Sequence, residues 1–230
     1  TAFGARNYEY FSEDGVLAGN MGAKAVEGAR KYGVYSYIKH FALYEGNAKM
    51  VSVWSNEQAI REIYLKPFEI CVKEGKAKAV MSSFNYIGTR WAGGSEELCN
   101  TVLRDEWGFQ GFVLTDYFGV YGYMNSDQGI RNGTDAMLVA YDTETNHVKD
   151  QKSATGVEAM RQACKNIMYT VVNSRAYDAE NLETGLMTWQ IAAIAADVVL
   201  GVGILALEIV AIKRFRKRLA EEKAAVAVEN

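Results

Sequence analysis

Short apolar runs alternate with longer segments of helical periodicity over the first three quarters of the 230-residue chain. Four runs are rich in β-forming residues and bounded by turn residues, which is typical of buried strands: 34–38, 79–83, 111–115 and 136–139. Strands that alternate with helices are typical of βα units, whose strands form a parallel sheet. The pattern therefore predicts an α/β fold with four βα units.

Capping residues and glycines predict where the helices begin and end. Ser12 is placed to cap a first helix that reaches Arg30, and Gly33 would stop that helix before the first strand. Ser55 and Gln58 have the spacing of a capping box at the start of the second helix.

The later helices have their own signals. Pro67, the only proline, is expected to restart the second helix at a new first turn. Ser95 and Gly108 would begin and end the third helix. After the fourth run, apolar residues recur at helical spacing and predict a core-facing stripe: Val157, Met160, Cys164, Ile167, Met168 and Val171.

Four βα units are about half of an eight-unit (β/α)8 barrel of the TIM type, so the predicted fold is a partial barrel. Half a barrel leaves sheet edges and apolar surface exposed, because parallel strands need both faces covered. The sequence also opens on Thr1 without a signal peptide. We therefore expect a C-terminal portion of a longer protein, with the half barrel at 1–178 and a linker at 179–188.

A predicted transmembrane helix follows at 189–212, which is mostly apolar and long enough to cross a bilayer. The tail 213–230 opens with a basic cluster, which the positive-inside rule places in the cytoplasm. The βα region would then lie outside a single-pass protein of the cell membrane. Asp197 and Glu208 count against a span, since a deep carboxylate costs about 2–3 kcal/mol on insertion scales. The alternative is an amphipathic helix on the membrane surface.

Composition excludes several classes of function. The net charge of −3, without a basic stripe interleaved with aromatic residues, indicates no nucleic-acid partner. Cys71, Cys99 and Cys164 are widely spaced and fit neither a zinc motif nor a disulfide framework, so ordinary, mostly buried thiols are expected. With only His40 and His147, a histidine-rich metal site is not expected, and no cofactor is predicted.

Residues with useful chemistry stand at the ends of three predicted strands, where parallel barrels place their catalytic groups. By position alone, Asp116 is either a catalytic carboxylate or the cap of the next helix. Lys39 and His40 are either ligand-binding groups or a loop lysine and a core histidine, and Arg6 could equally form a surface ion pair. The strand-end residues are Lys39 and His40, then Met81, Phe84 and Asn85, then Asp116 and Tyr117.

Six motifs give the chain, up to about residue 176, a resemblance to the barrel domain of glycoside hydrolase family 3. They stand in the family's order: RNYE at 6–9, IKHF at 38–41, REIYLKPFE at 61–69, VMSSFN at 80–85, LRDEWGF at 103–109 and VLTDY at 113–117. The resemblance implies a retaining, exo-acting β-glycosidase of the β-glucosidase or β-xylosidase type. Its substrates would be oligosaccharides or β-glycosides with a terminal non-reducing sugar.

The resemblance also implies a role for each matching residue. Asp116 would be the nucleophile that forms a covalent glycosyl-enzyme at the anomeric carbon. Arg6, Lys39 and His40 would hydrogen-bond sugar hydroxyls in the −1 subsite. Contacts that strengthen at an oxocarbenium-like transition state lower the barrier.

Other positions depart from the family or complete its subsite. Met81 would line the −1 subsite, and Tyr117 would lie beside it where the family usually has tryptophan. Phe84 stands where many members have tyrosine, so a hydroxyl near the nucleophile is missing, and the loop 44–50 also differs. These departures favour an alternative function, a non-catalytic, membrane-anchored carbohydrate-binding relic of the same fold.

Two parts of the family's site are expected upstream of this chain. One is a sugar-binding aspartate from the early barrel strands, and the other is the acid/base glutamate of an α/β sandwich domain. A retaining mechanism needs two carboxyl groups about 5–5.5 Å apart, so the isolated chain is expected to be inactive. The membrane segment directly after the barrel resembles permuted members, in which the sandwich comes first. An unrelated lyase with a Schiff base on Lys39 would instead need an apolar lysine pocket.

Overall fold

The structure, a computed structural model, describes residues 6–45, 51–118, 123–139, 147–178 and 185–228. The chain divides into two compact units, Thr1–Asn181 and Leu182–Asn230. The first unit has an α/β fold, and the described part of the second is mainly one long helix.

The α/β unit opens, in chain order, with the 3-10 turn Asn7–Glu9, α1 (Gly15–Arg30), β1 (Tyr37–Phe41), β2 (Ser52–Val53), α2 (Glu57–Ala59), the π-helical turn Ile60–Tyr64, α3 (Lys66–Lys73), β3 (Ala79–Ser82), β4 (Tyr86–Ile87) and β5 (Arg90–Trp91). It continues with the 3-10 turn Ala92–Gly94, the π-helix Glu97–Glu106, β6 (Phe112–Tyr117), α4 (Ser126–Arg131), β7 (Ala136–Leu138), α5 (Ala154–Val172) and the 3-10 turn Arg175–Tyr177. The second unit contains α6 (Thr188–Val228).

The main sheet confirms the predicted parallel α/β architecture. Its four strands lie in the order β1-β3-β6-β7, and each pair is parallel. Helical segments connect successive strands, as βα units require. A second sheet, in which β2 pairs with β4 and β4 with β5, was not predicted, because two-residue strands carry no readable alternation.

The hydrophobic core lies between the main sheet and its helices. Val80 and Val113 are fully buried and adjacent in register, so they share one sheet face. On that side the Phe41 ring lies 5.1 Å from Phe68 and 6.0 Å from Trp107. The strands are thereby held against α3 and the π-helix.

The other face of the sheet is less covered by the described residues. Met81 and Leu114 are half-buried register partners on this face, one residue along from the buried valines. Tyr37 is 39% exposed and makes an edge contact with Phe112 at 5.4 Å. By the alternation along β6, Asp116 belongs to the same face as Leu114.

The cap of α1 differs from the prediction. The carboxylate of Asp14 accepts a hydrogen bond from the Leu17 amide at 2.6 Å and caps the helix. Ser12 instead accepts one from the Asp14 amide at 3.1 Å. The Ser12 prediction was wrong because two good capping residues stand two positions apart, and the first strand also begins later than expected, at Tyr37.

The capping box predicted for Ser55 and Gln58 was also wrong. Asn56, between them, caps α2 and accepts from the Ala59 amide at 2.8 Å. The prediction for Pro67 is confirmed, since it lies in the first turn of α3. A proline is tolerated there because the first amides of a helix have no intrahelical acceptor.

Both limits of the third helix are confirmed. The Ser95 hydroxyl accepts a hydrogen bond from the Leu98 amide at 3.3 Å, and the Ser95 carbonyl accepts one from Cys99 at 2.9 Å. The π-helix ends at Glu106, and Gly108 terminates it just beyond the cap residue, with a φ of +69° that suits glycine because it has no Cβ.

The predicted core-facing stripe of α5 was wrong. The residues that α5 buries are Gly156, Ala163 and Thr170. Met168 is 64% exposed, and the apolar stripe borders a surface groove of about 830 Å³. A Cβ on Gly156 would lie 2.3 Å from the Asp150 carbonyl oxygen, so the buried face depends on small residues at close approach. Periodicity identified an apolar face, but it does not say which face a neighbour covers.

The ion pair between Arg104 and Asp135 joins the π-helix to the segment before β7. Their side chains are 13% and 2% exposed, with 2.6 Å between Nη2 and Oδ2. Asp135 also accepts from the Val113 amide at 2.7 Å and from Asn166 of α5 at 2.8 Å. Arg104 donates to the carbonyls of Gly111 and Gly133. This one buried pair connects three βα segments.

The helix α6 has the composition expected of a membrane segment. Thr188–Arg218 has a mean hydropathy of 2.3 over its most apolar window and is long enough to cross a bilayer. The helix continues beyond the predicted transmembrane segment 189–212, through the basic cluster to Val228, and the boundary of that segment at residue 212 stays a prediction. By length and composition, this is the one such helix in the described part of the chain.

Replacing Asp135 by alanine is expected to lower the free energy of unfolding by about 3–5 kcal/mol, because it leaves the buried Arg104 cation unpaired. The measurement is urea unfolding in mild detergent, followed by the fluorescence of the buried residues Trp91 and Trp107. The control is Arg90→Ala, which removes an exposed ion pair with Glu97 and should cost at most about 1 kcal/mol. Equal effects in both variants would contradict the prediction.

Candidate active site

Three residues predicted from the sequence, Arg6, His40 and Asp116, lie close together. His40 and Asp116 stand near the ends of β1 and β6, and Arg6 directly precedes the first 3-10 turn. Arg6 Nη1 lies 2.9 Å from His40 Nε2. The same His40 nitrogen lies 3.5 Å from Oδ2 of Asp116. Residues that are far apart in the sequence therefore share one site, and both His40 and Asp116 are buried, at 3% and 8% exposure.

Two neighbours determine where His40 carries its proton. An arginine guanidinium only donates hydrogen bonds, so the contact with Arg6 requires His40 Nε2 to accept. In the neutral ring the proton is then on Nδ1, which lies 2.8 Å from the hydroxyl oxygen of Tyr10 and donates to it. Burial, together with the charges of Arg6 and Lys39, lowers the pKa of His40 to about 4. His40 is therefore neutral at pH 7.

Glu9 links the two predicted cationic donors. Its carboxylate accepts from Lys39 Nζ at 3.1 Å and forms an ion pair with Arg6. Burial alone would raise the pKa of Glu9, but Lys39 and Arg6 outweigh burial and keep that pKa below its ordinary value. The Lys39 side chain is 39% exposed and ion-paired, unlike the desolvated lysine in an apolar pocket that a Schiff-base lyase would need.

Asp116 does not cap the next described helix. Asn125 caps α4 and accepts from the Gln128 amide at 2.9 Å. Asp116 Oδ1 instead accepts from the amide of Tyr117 at 2.7 Å, which turns the carboxylate back over the end of β6. The interpretation of Asp116 as a helix cap is therefore wrong for α4, and its interpretation as a catalytic carboxylate stays a prediction.

The remaining predicted residues surround this centre to different degrees. Met81 is half-buried in β3 on the Asp116 face of the sheet. Phe84 is buried, and its ring centre lies 6.1 Å from that of Tyr44. Tyr117 packs against the small hydrophobic cluster that contains Phe84. Phe84 is connected to His40 through the ring of Tyr44.

Sequence reasoning assigned no role to Tyr10, Tyr44 or Tyr123. The Tyr44 ring lies 5.1 Å from His40, and burial and Asp116 raise its pKa while Arg6 lowers it. Tyr123 donates to the Phe84 carbonyl at 3.1 Å. Burial raises the pKa of Tyr123, and neighbouring groups including Asp116 raise it further. Tyr10 could have been noticed because it directly follows the RNYE motif.

The thiols agree with the expectation of mostly buried cysteines. Cys71 and Cys99 are buried, and burial raises their pKa to about 11 and about 12. Cys164 is exposed on α5. Within the described ranges there is no group of three or more His, Cys, Asp and Glu side chains arranged to hold a metal ion.

This arrangement suits chemistry at a polyhydroxylated ligand. A buried carboxylate at a strand end faces a neutral imidazole, and two cationic donors lie alongside. Such groups can hold hydroxyls in fixed directions and stabilise positive charge that develops near the carboxylate.

The model of the glycosyl hydrolase family 3 N terminal domain matches residues 2–171. The chain belongs to glycosyl hydrolase family 3. This confirms the family indicated by the six motifs. Among its relatives, a β-glucosidase of Ruminococcus albus is 44% identical over 115 residues, which cover 49% of this chain and 12% of that protein. β-Glucosidase A of Butyrivibrio fibrisolvens is 39% identical over 153 residues, which cover 63% and 18%.

Solved structures of family 3 enzymes are similar in fold. β-Glucosidase 3B of Thermotoga neapolitana aligns with a TM-score of 0.65 and 32% identity, over 76% of this chain and 26% of that chain. The β-glucosidase of Bifidobacterium adolescentis aligns with a TM-score of 0.69 and 27% identity, over 80% and 27%. The chain thus spans about a quarter of the solved relatives that it matches.

A titration tests the electrostatics of the site. In a His147→Gln background, which leaves one histidine, the His40 ring protons followed by NMR should titrate near pH 4. Because the unfolded chain protonates this group near pH 6.5, stability should fall by about 3 kcal/mol between pH 7 and pH 4. That loss should be absent in His40→Gln. A midpoint above 6 in the folded chain would contradict the geometry.

Proposed function

We propose that the full-length protein is a retaining, exo-acting β-glycosidase of the β-glucosidase or β-xylosidase type, and that this chain carries its nucleophile. The observation that carries the proposal is the buried Asp116 carboxylate, 3.5 Å from a histidine that Arg6 contacts. Membership of family 3 supports it, as does similarity to relatives described as β-glucosidases. The substrate class is a β-glycoside with a terminal non-reducing sugar.

In the proposed reaction, Asp116 attacks the anomeric carbon as the bond to the leaving oxygen breaks. The leaving oxygen receives a proton from a general acid, and a covalent glycosyl-aspartate forms. Water, deprotonated by the same group, then attacks the anomeric carbon and releases Asp116. The second step reverses the stereochemistry of the first, so the β configuration is retained.

The other residues hold the sugar during both steps. Arg6 and Lys39 are cationic and can only donate hydrogen bonds. His40 Nε2 accepts from Arg6 in the structure, so a sugar hydroxyl would donate to this nitrogen by taking the place of that Arg6 N–H. Donors and an acceptor side by side can distinguish the directions of neighbouring hydroxyls. Met81 would line the same subsite.

The second carboxyl group is proposed to come from outside this chain. A retaining site needs it about 5–5.5 Å from the nucleophile. We assign it to an α/β sandwich domain that precedes the barrel in a permuted domain order. The upstream half of the barrel would cover the open face of the sheet. The isolated chain is accordingly expected to bind or turn over glycosides poorly.

A second candidate function is a non-catalytic carbohydrate-binding relic. The observation that favours it is Phe84, which packs against Tyr44 and supplies no hydroxyl at a position where the family often has one. The buried Asp116 and the ion-paired Lys39 disfavour it, because a relic has no need to keep a costly buried carboxylate.

We further propose that Thr188–Arg218 anchors the protein in the cell membrane, with the glycosidase outside and the C-terminal tail in the cytoplasm. Support comes from the apolar length of the helix and from the basic residues gathered at one end of it. Glu208 is close enough to that end to reach the interface, and Asp197 is the costly position.

The first experiment uses the full-length protein and a 2-fluoro-glycoside inactivator, with peptide mass spectrometry. A covalent sugar on the peptide containing Asp116 is expected, and Asp116→Asn should abolish it and lower kcat by about a thousand-fold or more. The control is the exposed Asp105, whose change to asparagine should leave labelling intact. Sugar binding without any label would instead support the relic.

The second experiment tests the anchor. The wild-type chain should float with vesicles and resist extraction by alkaline carbonate. Val202→Arg with Leu205→Arg, near the middle of the apolar segment, adds about 5–7 kcal/mol to the cost of insertion and should release it. Ala211→Lys, beside the basic end, should be tolerated because that side chain can snorkel. Extraction of the wild-type chain by carbonate would favour a surface helix.

A further inference from the structure

The 3-10 turn Asn7–Glu9 and the next residue, Tyr10, contact all three side chains proposed to bind the sugar hydroxyls. Tyr10 contacts His40 at 2.8 Å, and Glu9 contacts Lys39 at 3.1 Å and pairs with Arg6. Neither Glu9 nor Tyr10 has a step in the proposed reaction. Glu9 and Tyr10, which are adjacent in the sequence, therefore contact all of the groups proposed to bind the sugar: Arg6, Lys39 and His40.

Tyr10 controls the ring of His40. Because Arg6 occupies Nε2 as a donor, the ring proton must be on Nδ1, and the Tyr10 oxygen is the acceptor at that position. Burial raises the pKa of Tyr10 to about 12, so the hydroxyl keeps its own proton and remains neutral. A hydrogen bond at one ring nitrogen determines what the other nitrogen can do. Tyr10 thereby stabilises the tautomer in which Nε2 accepts from Arg6.

Glu9 controls the two cations. Arg6 and Lys39 would repel each other without an intervening anion, and the Lys39 side chain is long and 39% exposed. The two carboxylate oxygens of Glu9 are divided between them, with Oε1 on Arg6 and Oε2 on Lys39. Glu9 therefore fixes one hydrogen-bond direction of Lys39 and one of Arg6, and the contact with His40 fixes a second direction of Arg6.

We propose that Glu9 and Tyr10 are positioning residues, which orient Arg6, Lys39 and His40 before the substrate arrives. That these three groups bind sugar rests on the proposed function, whereas the orientation itself rests on the contacts alone. A preorganised set of donors needs no rearrangement during the reaction. Loss of either positioning residue should leave the nucleophile in place and misdirect the groups around it.

The orientation is tested first, without any need for catalysis. The full chain with His147→Gln is labelled with ¹⁵N-histidine in detergent micelles, so that His40 gives the only ring signals. A pyrrole-type Nδ1 and a pyridine-type Nε2 are expected at pH 7. Tyr10→Phe leaves the Nδ1–H without its acceptor and should shift the ring signals, because Arg6 alone then holds the ring, and Tyr32→Phe, at a 74% exposed position, should not.

Two results would overturn this part. One is a wild-type His40 ring that carries its proton on Nε2. This result would refute the proposed orientation even if Tyr10→Phe fails to fold. The other is a folded Tyr10→Phe chain whose ring signals equal those of the Tyr32→Phe control.

The consequence for the reaction is tested in the full-length protein with Glu9→Gln and Tyr10→Phe. Each should lower kcat/KM by about tenfold or more, mainly through KM, with labelling of Asp116 retained. Glu13→Gln, at a nearby exposed position, is the control. If the wild type turns over and both variants stay within about twofold of the control, positioning is refuted and the proposed function stands. If the wild type shows no turnover, the proposed function fails, and the ring signals alone decide the orientation.

Discussion

The site depends on a contact that passes over an intervening strand. His40 and Asp116 end strands β1 and β6, which are separated in the sheet by β3. Neighbouring strands lie about 4.8 Å apart, so two strands of separation put these backbones roughly 10 Å apart. A contact at 3.5 Å therefore requires both side chains to lean over the end of β3. The Ala42 carbonyl helps to fix that end, because it accepts from Ser83 at 2.9 Å and from Asn85 at 3.2 Å.

Much of the fold could be predicted because burial imposes simple patterns on the chain. The main-sheet strands appear as short apolar runs, and Pro67 and Gly108 act through backbone restrictions that need no tertiary information. The error at the start of α1 arose because two neighbouring residues can cap the helix with nearly equal free energy. Either Ser12 or Asp14 can cap α1, and only the path of the chain decides between them. The buried face of α5 was missed because its backbone packs closely against neighbouring segments. Such packing requires small residues such as Gly156, and these do not contribute to an apolar pattern.

The site was predictable to the extent that it follows strand ends. Asp116, Lys39 and His40 stand where parallel strands deliver functional groups, and family motifs supplied Arg6. Glu9 and Tyr10 could not be assigned in this way, because their contacts cross about 30 residues and depend on the geometry of a short turn. Burial of His40 also has no local signature, although burial and the charges of Arg6 and Lys39 together lower the pKa of that ring and keep it neutral.

The compactness of the segment from Arg6 to Tyr10 has a consequence for how such sites diversify. Three of its five residues, Arg6, Glu9 and Tyr10, contact the side chains of Lys39 and His40. The orientation of those two side chains is therefore encoded in one short peptide. A single recombination that exchanges residues 6–10 between relatives would replace the whole arrangement at once. Changes scattered along β1 would have to arise one by one. Ligand preference in this architecture can therefore evolve by exchange of the whole segment 6–10 rather than by gradual substitution.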